Sequence, residues 1–474
     1  MSRDFGMLIA GQWRTSKHSL EVKSPFDGSL VARTFLADRG LMEEAIASSA
    51  AAFAELRKLP AYRRYEVISK VAEGISEREK ELASTIALES GKPIKDARGE
   101  VRRAVTTFQF AAEEARRLGG EVLPLDVSPG SEGRFGIVRR FPIGPILGIA
   151  PFNFPLNLVA HKVAPAMACG NPMLLKPSPK TPITALMLGE IVTQAGWPAG
   201  GLNIINCTNE DARNIWLDER IRKLSFTGSA KVGWMLKADA GARKVTLELG
   251  GNAGVIVHSD SDISFAAKRC TLGAFANAGQ VCISVQRIYV ERSVFDAFRD
   301  EYIANCKKIK SGDPLDETTE LGPMIEEEAA KRTEAWVKEA VSEGAKVLSG
   351  GGRKGSFMEP TVLTNTKPSM KVCGEEVFAP VVTLEPYNDF DEALKEVNRG
   401  LYGLQAGVFT NDMARALRAY ETLEVGGVVI NDIPTYRMDN MPYGGVKMSG
   451  FGREGLKYAI EEMTEPRLLV LGRK

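Results

Sequence analysis

Runs of apolar and polar positions divide the chain into segments of different secondary structure. Short strands separated by turn-forming residues are predicted over residues 7–37, and helices over residues 41–91 and 97–118, where apolar residues recur at helical spacing. Ser76 followed by Glu79 predicts a capping box at the start of a helix. The N-terminal quarter of the chain is therefore expected to be mostly helical.

A β-hairpin is predicted over residues 121–142. Its two apolar runs, Val122–Leu125 and Phe135–Val138, flank a polar turn at Pro129–Gly133. A two-stranded arm is only marginally stable alone, so we expect it to pack against another surface, for which a second subunit is one option.

Strand and helix patterns alternate over residues 146–249 and again over residues 253–445. Apolar runs with the length of buried strands are separated by longer segments with helical spacing. This alternation is typical of βαβ units, which build parallel sheets. The predicted fold class is therefore α/β.

Composition and charge exclude some classes of protein. The 474 residues include 61 Lys and Arg against 60 Asp and Glu, so the basic excess of a nucleic-acid or membrane-surface protein is missing. The uncharged run over residues 142–160 has about the length of a membrane span. It contains four prolines and two asparagines, which predict a buried strand, loop and helix start instead.

The cysteines and histidines point to a reduced, metal-free protein. The six cysteines are scattered without a CxxC pair, and a chain of this length needs no disulfides. Reduced thiols in the cytoplasm are the simplest interpretation, and the N-terminus lacks the apolar run of a signal peptide. The three histidines lie far apart in the sequence, so no metal site is expected.

Cys282 is the first candidate for chemistry. It follows a predicted apolar helix over residues 265–278 and precedes a predicted strand over residues 286–290. A thiol at a junction between buried elements is either an inert core residue or a nucleophile. The neighbouring residues alone leave both alternatives open.

Two predicted strand ends carry residues suited to phosphate or nucleotide binding. Gly228 and Ser229 follow a strand and open a helix, where free N–H groups bind anions, although an ordinary capped helix has the same pattern. Lys176 ends another strand at the edge where open parallel sheets bind ligands, although a surface lysine is equally compatible with the spacing.

Two further residues complete a set with catalytic potential. Asn153 lies in a stiff loop between two prolines, and its amide either donates to an oxyanion or braces the loop. Glu248 ends an apolar strand, where a raised pKa suits a general base unless the strand end is solvated. A nucleophile, an oxyanion donor, a base and dinucleotide-binding turns are what a covalent oxidation of a carbonyl requires.

Seven short segments resemble, in the same order, those of the NAD(P)-dependent aldehyde dehydrogenase superfamily. The resemblance covers essentially the whole chain. The segments are Pro151–Pro155, Lys176–Ser178, Phe226–Ser229, Glu248–Gly251, Gly279–Cys282, Glu375–Pro380 and Pro442–Gly450.

The resemblance implies a division into three parts. A Rossmann-type cofactor domain would comprise residues 1–120 and 143–250, and an α/β catalytic domain residues 251–447. A β-arm for oligomerisation would comprise residues 121–142 and the terminal strand Arg467–Leu471, which lies in a C-terminal segment of residues 448–474. Homodimers or homotetramers in the cytoplasm follow from this resemblance.

The resemblance also implies a mechanism. Cys282 would attack an aldehyde to give a thiohemiacetal, whose oxyanion the amide of Asn153 and the backbone N–H of Cys282 would hold. Transfer of hydride to NAD or NADP would leave a thioester, and water activated by Glu248 would hydrolyse it to a carboxylic acid.

The resemblance further implies which residues bind the cofactor and the substrate. The implied cofactor-binding residues are Lys176, Ser178, Pro179, Lys180, Phe226, Gly228, Ser229, Gly233, Leu249, Gly250, Glu376 and Phe378. The implied substrate-binding residues are Phe154, Leu158, His161, Ile283, Arg437 and Tyr443.

The sequence departs from the usual family pattern in the cofactor site. NAD-preferring members usually carry Glu three residues after the lysine, where it bonds the adenosine ribose. Here Pro179 occupies that position and Lys180 follows it. A carboxylate that would repel the 2′-phosphate of NADP is thus missing, and use of NADP or of both cofactors is open.

The substrate is expected to be a small polar or anionic aldehyde. The C-terminal part of the chain resembles that of a subgroup of the family, the lactaldehyde, non-phosphorylating glyceraldehyde-3-phosphate and semialdehyde dehydrogenases. Val281 stands where phosphate-binding members have Arg. Arg437 stands six residues before Tyr443, where members that oxidise apolar aldehydes often have an aromatic residue. With His161 it would make the pocket cationic, unless it turns outward and pairs with Asp439.

Two alternatives to a hydrolytic dehydrogenase remain. In a CoA-acylating dehydrogenase CoA would resolve the thioester, but such members often lack the base found here as Glu248. A catalytically retired member would serve only as a structural or binding protein, which the intact set of Cys282, Glu248 and Asn153 argues against.

Overall fold

The computed structural model describes residues 4–472, so the outermost residues of the predicted first and last segments, 1–3 and 473–474, lie outside it. The N-terminal region contains short strand pairs followed by helices. These elements are β1 (Met7–Ile9), β2 (Gln12–Arg14), β3 (Ser19–Lys23), β4 (Leu30–Phe35), α1 (Arg39–Leu56), α2 (Ala61–Glu77), α3 (Glu79–Ser90) and α4 (Ile94–Arg117).

The capping box predicted at Ser76 and Glu79 is wrong. Ser76 lies inside α2, and only Arg78 separates α2 from α3. Because the Arg78 N–H still bonds to the carbonyl of Gly74, the chain remains hydrogen-bonded as in a helix and α3 has no free N-terminus for a side chain to cap.

A hairpin and the first alternating stretch follow. These elements are β5 (Gly120–Pro124), β6 (Arg134–Pro142), β7 (Ile146–Ile149), α5 (Asn157–Cys169), β8 (Met173–Lys176), α6 (Ile183–Gln194), β9 (Leu202–Ile204), α7 (Asn209–Leu217), β10 (Lys223–Thr227), α8 (Ala230–Ala238) and β11 (Lys244–Glu248). The uncharged run over residues 142–160 forms a strand, a loop and the start of a buried helix, as predicted.

The second alternating stretch completes the chain. Its elements are β12 (Ala253–Val257), α9 (Ile263–Phe275), a 3-10 turn (Ala276–Gly279), β13 (Val285–Glu291), a second 3-10 turn (Arg292–Val294), α10 (Phe295–Cys306), α11 (Glu327–Ser342), β14 (Lys346–Ser349), β15 (Arg353–Lys354), β16 (Phe357–Met358), β17 (Thr361–Thr364), α12 (Lys371–Gly374), β18 (Val381–Tyr387), α13 (Phe390–Asn398), β19 (Tyr402–Gly403), β20 (Gln405–Phe409), α14 (Met413–Thr422), β21 (Gly427–Ile430), β22 (Val446–Lys447), β23 (Gly450–Phe451), α15 (Leu456–Glu462) and β24 (Thr464–Gly472).

Two large sheets organise the described residues. The first has the order β2-β1-β9-β8-β7-β10-β11-β23, in which the five strands from β9 to β11 are parallel. The second has the order β14-β17-β18-β13-β12-β20-β21 and is parallel except for β14. The alternating pattern of the sequence thus predicted the sheet type correctly.

Helices cover both faces of the first sheet, as a parallel sheet requires. Leu175 of β8 packs into a core shared with α2, α4, α5 and α6, whereas its neighbour Leu174 packs into a core shared with α1, α7 and α8. Successive residues of a strand point to opposite faces, so strands in this position must be apolar throughout.

A separate three-stranded sheet, the arm, lies beside the two large sheets. It has the order β24-β6-β5, and all its pairings are antiparallel. The predicted hairpin over residues 121–142 is present, and the C-terminal strand is its third member. Every residue of β24 after Thr464 is exposed, as its burial pattern records for Glu465–Gly472.

Candidate active site

The ends of β7 and β10 mark where the first sheet is expected to bind a ligand. Strand order changes direction between these adjacent parallel strands, because β8 and β9 extend the sheet on one side and β11 on the other. Open α/β sheets bind ligands outside the carboxyl ends of their strands at such a switch point. The loop with Asn153 follows β7, and the turn with Gly228 and Ser229 follows β10, so two predicted segments meet here.

The second sheet approaches this place from the other side. Glu248 is the last residue of β11, and the chain enters the second sheet at Ala253. Cys282 precedes β13 and Glu376 precedes β18, so both lie at the amino ends of neighbouring strands. A cleft of about 280 Å³ between the two sheet edges is lined by residues from both.

Cys282 is held in a small apolar cluster beside this cleft. It packs against Val281, Ile283, Leu404 and Tyr443. The Tyr443 hydroxyl lies 3.2 Å from Sγ. Burial raises the pKa of the Cys282 thiol to about 11, which the Tyr443 hydrogen bond only partly counteracts, so the thiol is protonated at neutral pH.

Asn153 links the β7 loop to the segment that carries the nucleophile. Its amide Nδ2 donates to the carbonyl of Gln280 at 2.9 Å, and its Oδ1 has no partner among the described residues. One of the two amide N–H bonds is therefore used and the other remains available to an oxyanion. Asn153 and Cys282 line the same cleft.

Phe154, the next residue of this loop, packs against a buried cation, Lys92. The amine of Lys92 lies 3.8 Å from the centre of its ring and pairs with the carboxylate of Glu100. Glu100 also accepts hydrogen bonds from the backbone N–H groups of Leu156 and Asn157, at the start of α5. The loop and the helix after it are thus tied to α4.

Glu248 is buried, with 3% of its surface exposed, and neither carboxylate oxygen has a hydrogen-bond partner among residues 4–472. Burial, followed by the nearby charge of Glu454, raises the pKa of Glu248 well above its ordinary value. A raised pKa makes the ionised carboxylate a better proton acceptor, which suits a general base near neutral pH.

The sequence interpretation did not assign roles to two charged residues behind Glu248. Lys162 is buried and its amine donates to Thr227 at 2.7 Å and to Glu454 at 3.2 Å. A lysine in an otherwise uncharged helix was a signal for a buried charge, because burial of an unpaired ammonium is costly. Glu454 had no comparable signal, since its partner Lys162 lies 292 residues away in sequence.

Arg437 faces the interior, and the alternative in which it turns outward to pair with Asp439 is wrong. Its guanidinium lies 3.6 Å from the centre of the Tyr443 ring, and its side chain is 6% exposed. It contacts Glu454 and His161 at 3.3 Å. Stacking on Tyr443 keeps the guanidinium inside, whereas Asp439 is paired with His161 at 2.9 Å and with Arg103 at 2.9 Å.

The predicted substrate-binding residues form one contiguous group with Cys282. Phe154, Ile283 and Tyr443 belong to the apolar cluster around the nucleophile. Leu158 lines the cleft beside Cys282. Arg437 and His161, which contact each other, lie behind Tyr443.

The cleft fits a dinucleotide. Gly228, Ser229, Leu249, Gly250, Glu376 and Phe378 all line it. A Cβ at Gly250 would lie 2.3 Å from a carboxylate oxygen of Glu376, and one at Gly233 would lie 2.4 Å from Leu249. A larger residue at either position would force the neighbouring side chain to move, and these close approaches resemble the packing of other dinucleotide sites.

Two cofactor-site residues have special surroundings. Glu376 accepts a hydrogen bond from the backbone N–H of Gly251 at 2.9 Å, and burial raises its pKa to about 7. Phe378 adopts a left-handed conformation with φ of 51° and packs edge-on against Phe152. Arg332, which the sequence interpretation did not include, also lines the cleft and donates to the carbonyl of Val377.

The remaining cofactor-site residues lie at the end of β8 and below the β10 turn. Lys176 and Ser178 are buried, whereas Pro179 and Lys180 are exposed. Lys180 pairs with Glu326, a cleft residue from the second alternating stretch. Phe226 is buried, and a Cβ at Gly228 would lie 2.6 Å from its ring.

Two other kinds of site are absent from residues 4–472. No group of His, Cys, Asp and Glu side chains in this part of the chain has a metal-binding arrangement. No helix in the same part is both long enough and apolar enough to cross a membrane.

Comparison with known proteins identifies the class. Residues 13–469 match the model of the aldehyde dehydrogenase family. The chain is 46% identical over 471 residues to 3-sulfolactaldehyde dehydrogenase of Priestia megaterium, covering 99% of this chain and 98% of the relative. It is 40% identical over 473 residues to lactaldehyde dehydrogenase of Methanococcus aeolicus, covering 99% and 100% of the two chains.

Solved structures of aldehyde dehydrogenases support the same family assignment. Aldehyde dehydrogenase 21 from Physcomitrella patens, in complex with its reaction product succinate, superimposes with a TM-score of 0.98 at 46% identity and covers 100% and 99% of the two chains. NADP-dependent glyceraldehyde-3-phosphate dehydrogenase from Bacillus halodurans, complexed with NADP, superimposes with a TM-score of 0.96 at 32% identity and covers 99% of both chains. The fold and the cleft thus define an NAD(P)-dependent oxidoreductase. The chain belongs to the aldehyde dehydrogenase family and oxidises an aldehyde to a carboxylic acid.

Proposed function

We propose that this dehydrogenase oxidises a small aldehyde that carries a sulfonate or a carboxylate, and that Arg437 binds this anionic group. Two relatives, each 46% identical to this chain, support an anionic substrate. One is named for 3-sulfolactaldehyde and the other contains succinate as its product.

The position of Arg437 is the observation that carries this proposal. Its guanidinium stacks on Tyr443, whose hydroxyl lies 3.2 Å from the Cys282 thiol, so a cation lies one side chain away from the nucleophile. Its Nε has no hydrogen-bond partner among the described residues. Because Glu454 is shared with Lys162, one carboxylate serves two cations, which leaves positive charge for an incoming anion.

We further propose that Cys282 is the nucleophile, Asn153 the oxyanion donor and Glu248 the base. The Cys282 thiol gives its proton to water and its sulfur forms a bond to the carbonyl carbon, while the Asn153 amide and the Cys282 N–H donate to the resulting oxyanion. Bound NAD(P) supplies the hydride acceptor. Glu248 takes a proton from the water that hydrolyses the thioester, which its raised pKa and free oxygens support.

A comparison of substrates tests the role of Arg437. Losing one charge-assisted contact costs about 1.5–3 kcal/mol. Arg437→Leu should therefore lower kcat/KM roughly ten- to a hundredfold for 3-sulfolactaldehyde or succinic semialdehyde. Propanal, which has no anionic group, should be little affected, and Arg437→Lys should lie between the two because it retains charge without the planar fork. An equal loss on propanal would mean that Arg437 shapes the pocket and does not read the substrate.

We also propose the following organisation of the molecule. The two large sheets support a cofactor domain of residues 1–120 and 143–250 and a catalytic domain of residues 251–447. The exposed arm of residues 121–142 and the C-terminal segment 448–474 supports a homodimer or homotetramer. The six free cysteines support a reducing, cytoplasmic location, which cell fractionation would test.

A further inference from the structure

The turn before the nucleophile has an unusual backbone. Asn277 has φ 49° and ψ 39°, Ala278 has φ 54° and ψ 37°, and Gly279 has φ 69°, so three successive residues adopt the left-handed conformation. For residues other than glycine this conformation is strained and occurs mostly as single residues. Such strain persists only where the surrounding structure holds it in place.

The side chain of Asn277 supplies much of that support. It is buried, and its Nδ2 donates to the backbone carbonyl of Asn153 at 3.1 Å and to that of Gln280 at 3.4 Å. Gln280 donates back through Nε2 to the Asn277 carbonyl at 3.2 Å and accepts from the N–H of Ile325. A closed set of hydrogen bonds therefore joins the turn to its neighbours.

These bonds make two independent links between the Asn153 loop and the segment that leads to Cys282. The first is the bond from the Asn153 amide to Gln280, and the second is the bond from the Asn277 amide to the Asn153 carbonyl. With one link alone, a single hydrogen bond would join the Asn153 loop to this segment. Two links fix both its distance and its orientation relative to the nucleophile.

The other side of the turn is equally fixed. A Cβ at Gly279 would lie 2.1 Å from the carbonyl oxygen of Ala379, so the turn packs directly on the segment that contains Phe378. The turn can therefore respond to loss of the Asn277 bonds mainly by moving relative to the Asn153 loop.

We propose that Asn277 is a positioning residue that sets the oxyanion site. It holds the Asn153 amide and the backbone N–H of Cys282 at the spacing that a tetrahedral oxyanion requires. The inference rests on the proposed roles of Cys282 and Asn153. Oxyanion donors act only when they are preorganised, and misplacement by about 1 Å can cost a hundredfold in rate.

Two substitutions test the contribution of the Asn277 side chain separately from that of its backbone conformation. Asn277→Gly keeps the left-handed conformation and removes the amide, whereas Asn277→Asp keeps the size, removes the N–H donors and places a carboxyl group beside the two carbonyl acceptors. We expect each variant to form NAD(P)H in its first turnover about ten- to a hundredfold more slowly than wild type. The affinity for NAD(P), measured by fluorescence titration, should remain within about twofold of wild type, because the cofactor does not depend on this link.

Two reactions of the Cys282 thiol distinguish a positioning role of Asn277 from a merely structural one. Alkylation of Cys282 by iodoacetamide displaces iodide without forming an oxyanion, so its rate should stay near that of wild type. Acylation of Cys282 by p-nitrophenyl acetate passes through an oxyanion, so it should slow as much as the first turnover does. Equal slowing of both reactions would show that the thiol itself has been displaced and would overturn the proposal.

A double-mutant cycle completes the test. If Asn277 acts through Asn153, then Asn277→Gly should add little to the loss already caused by Asn153→Ala. Fully multiplicative losses would overturn the proposal, and so would a first-turnover rate within about twofold of wild type in Asn277→Gly. Failure of both Asn277 variants to fold would make Asn277 a folding residue and would equally overturn it. If the first turnover persists in Cys282→Ala, that result contradicts the proposed function instead.

Discussion

Burial shifts the pKa of the two proposed reactive side chains in the same direction. It raises the pKa of the Cys282 thiol to about 11 and the pKa of Glu248 well above the ordinary value of a carboxyl group. Burial therefore opposes ionisation of both groups, and each must be deprotonated for its proposed step. The two steps can be separated by substitution because they use different residues.

We expect Cys282→Ala to abolish aldehyde oxidation and to leave cofactor binding nearly unchanged. Glu248→Gln should still release a burst of reduced cofactor, because the nucleophile is intact, but should turn over slowly because hydrolysis lacks its base. Rapid-mixing absorbance at 340 nm would resolve the burst. A Glu248→Gln enzyme with neither burst nor turnover would contradict this division of roles.

Glu454 provides a test of the electrostatics around the base. Its negative charge contributes to the raised pKa of Glu248, so Glu454→Gln should lower that pKa. The deprotonated base would then be present at lower pH, and the acidic limb of the kcat–pH profile should move toward lower pH. Stopped-flow rates of thioester hydrolysis from pH 5 to 9 would measure this shift. A limb that stays in place or moves upward would mean that Glu454 does not control Glu248.

Sequence reasoning named the three residues to which we assign the reaction, but not all those that surround and tune them. Cys282, Asn153 and Glu248 stand in local segments that mark them as candidates, and the resemblance of those segments to the aldehyde dehydrogenase family assigned their roles. Lys162 and Glu454 come together across 292 residues, and only the packing of α5 against the C-terminal region creates their contact. Long-range charge pairs of this kind leave no local pattern.

At the scale of elements, the loops that follow the strands determine the cofactor site. The alternation of strands and helices predicted a parallel sheet, and β7, β8 and β10 are adjacent parallel strands of it, so their carboxyl ends lie together. The partner of Lys180 was not predictable in the same way. Glu326 lies just before α11 and reaches Lys180 only because the two large sheets face each other across the cleft.

We predict that the enzyme uses NADP at least comparably with NAD, because Pro179 stands where NAD-preferring members carry a carboxylate. Pro179→Glu should raise KM for NADP more than KM for NAD through repulsion of the 2′-phosphate. Glu326→Gln should lower KM for NADP, since it releases Lys180 from its ion pair. Steady-state kinetics with both cofactors would measure these changes. A wild-type preference for NAD of about a hundredfold, roughly 2.7 kcal/mol, would contradict the prediction.

At the scale of the whole molecule, the exposed apolar surface of the arm has no explanation within a single chain. Helices pack against the two large sheets, whereas every residue of β24 after Thr464 is exposed. Leu468, Leu469, Val470 and Leu471 are each between 40% and 54% exposed along one strand. A contiguous apolar strand of this kind marks an interaction site, and otherwise it would promote aggregation.

The last prediction follows from that surface. A second copy of the chain would bury both faces of the arm, so Leu469→Asp combined with Leu471→Asp should convert an oligomer into a monomer of 51.5 kDa. Light scattering coupled to size-exclusion chromatography would measure the mass. Leu217→Asp is the matched control, because Leu217 is 47% exposed but lies on α7, away from the arm, and it should leave the mass unchanged. Charges introduced into an apolar interface lose hydration without gaining partners, and this cost acts only on association. A wild-type protein that is already monomeric at micromolar concentration, or a double variant that keeps the wild-type mass, would show that the arm does not join subunits.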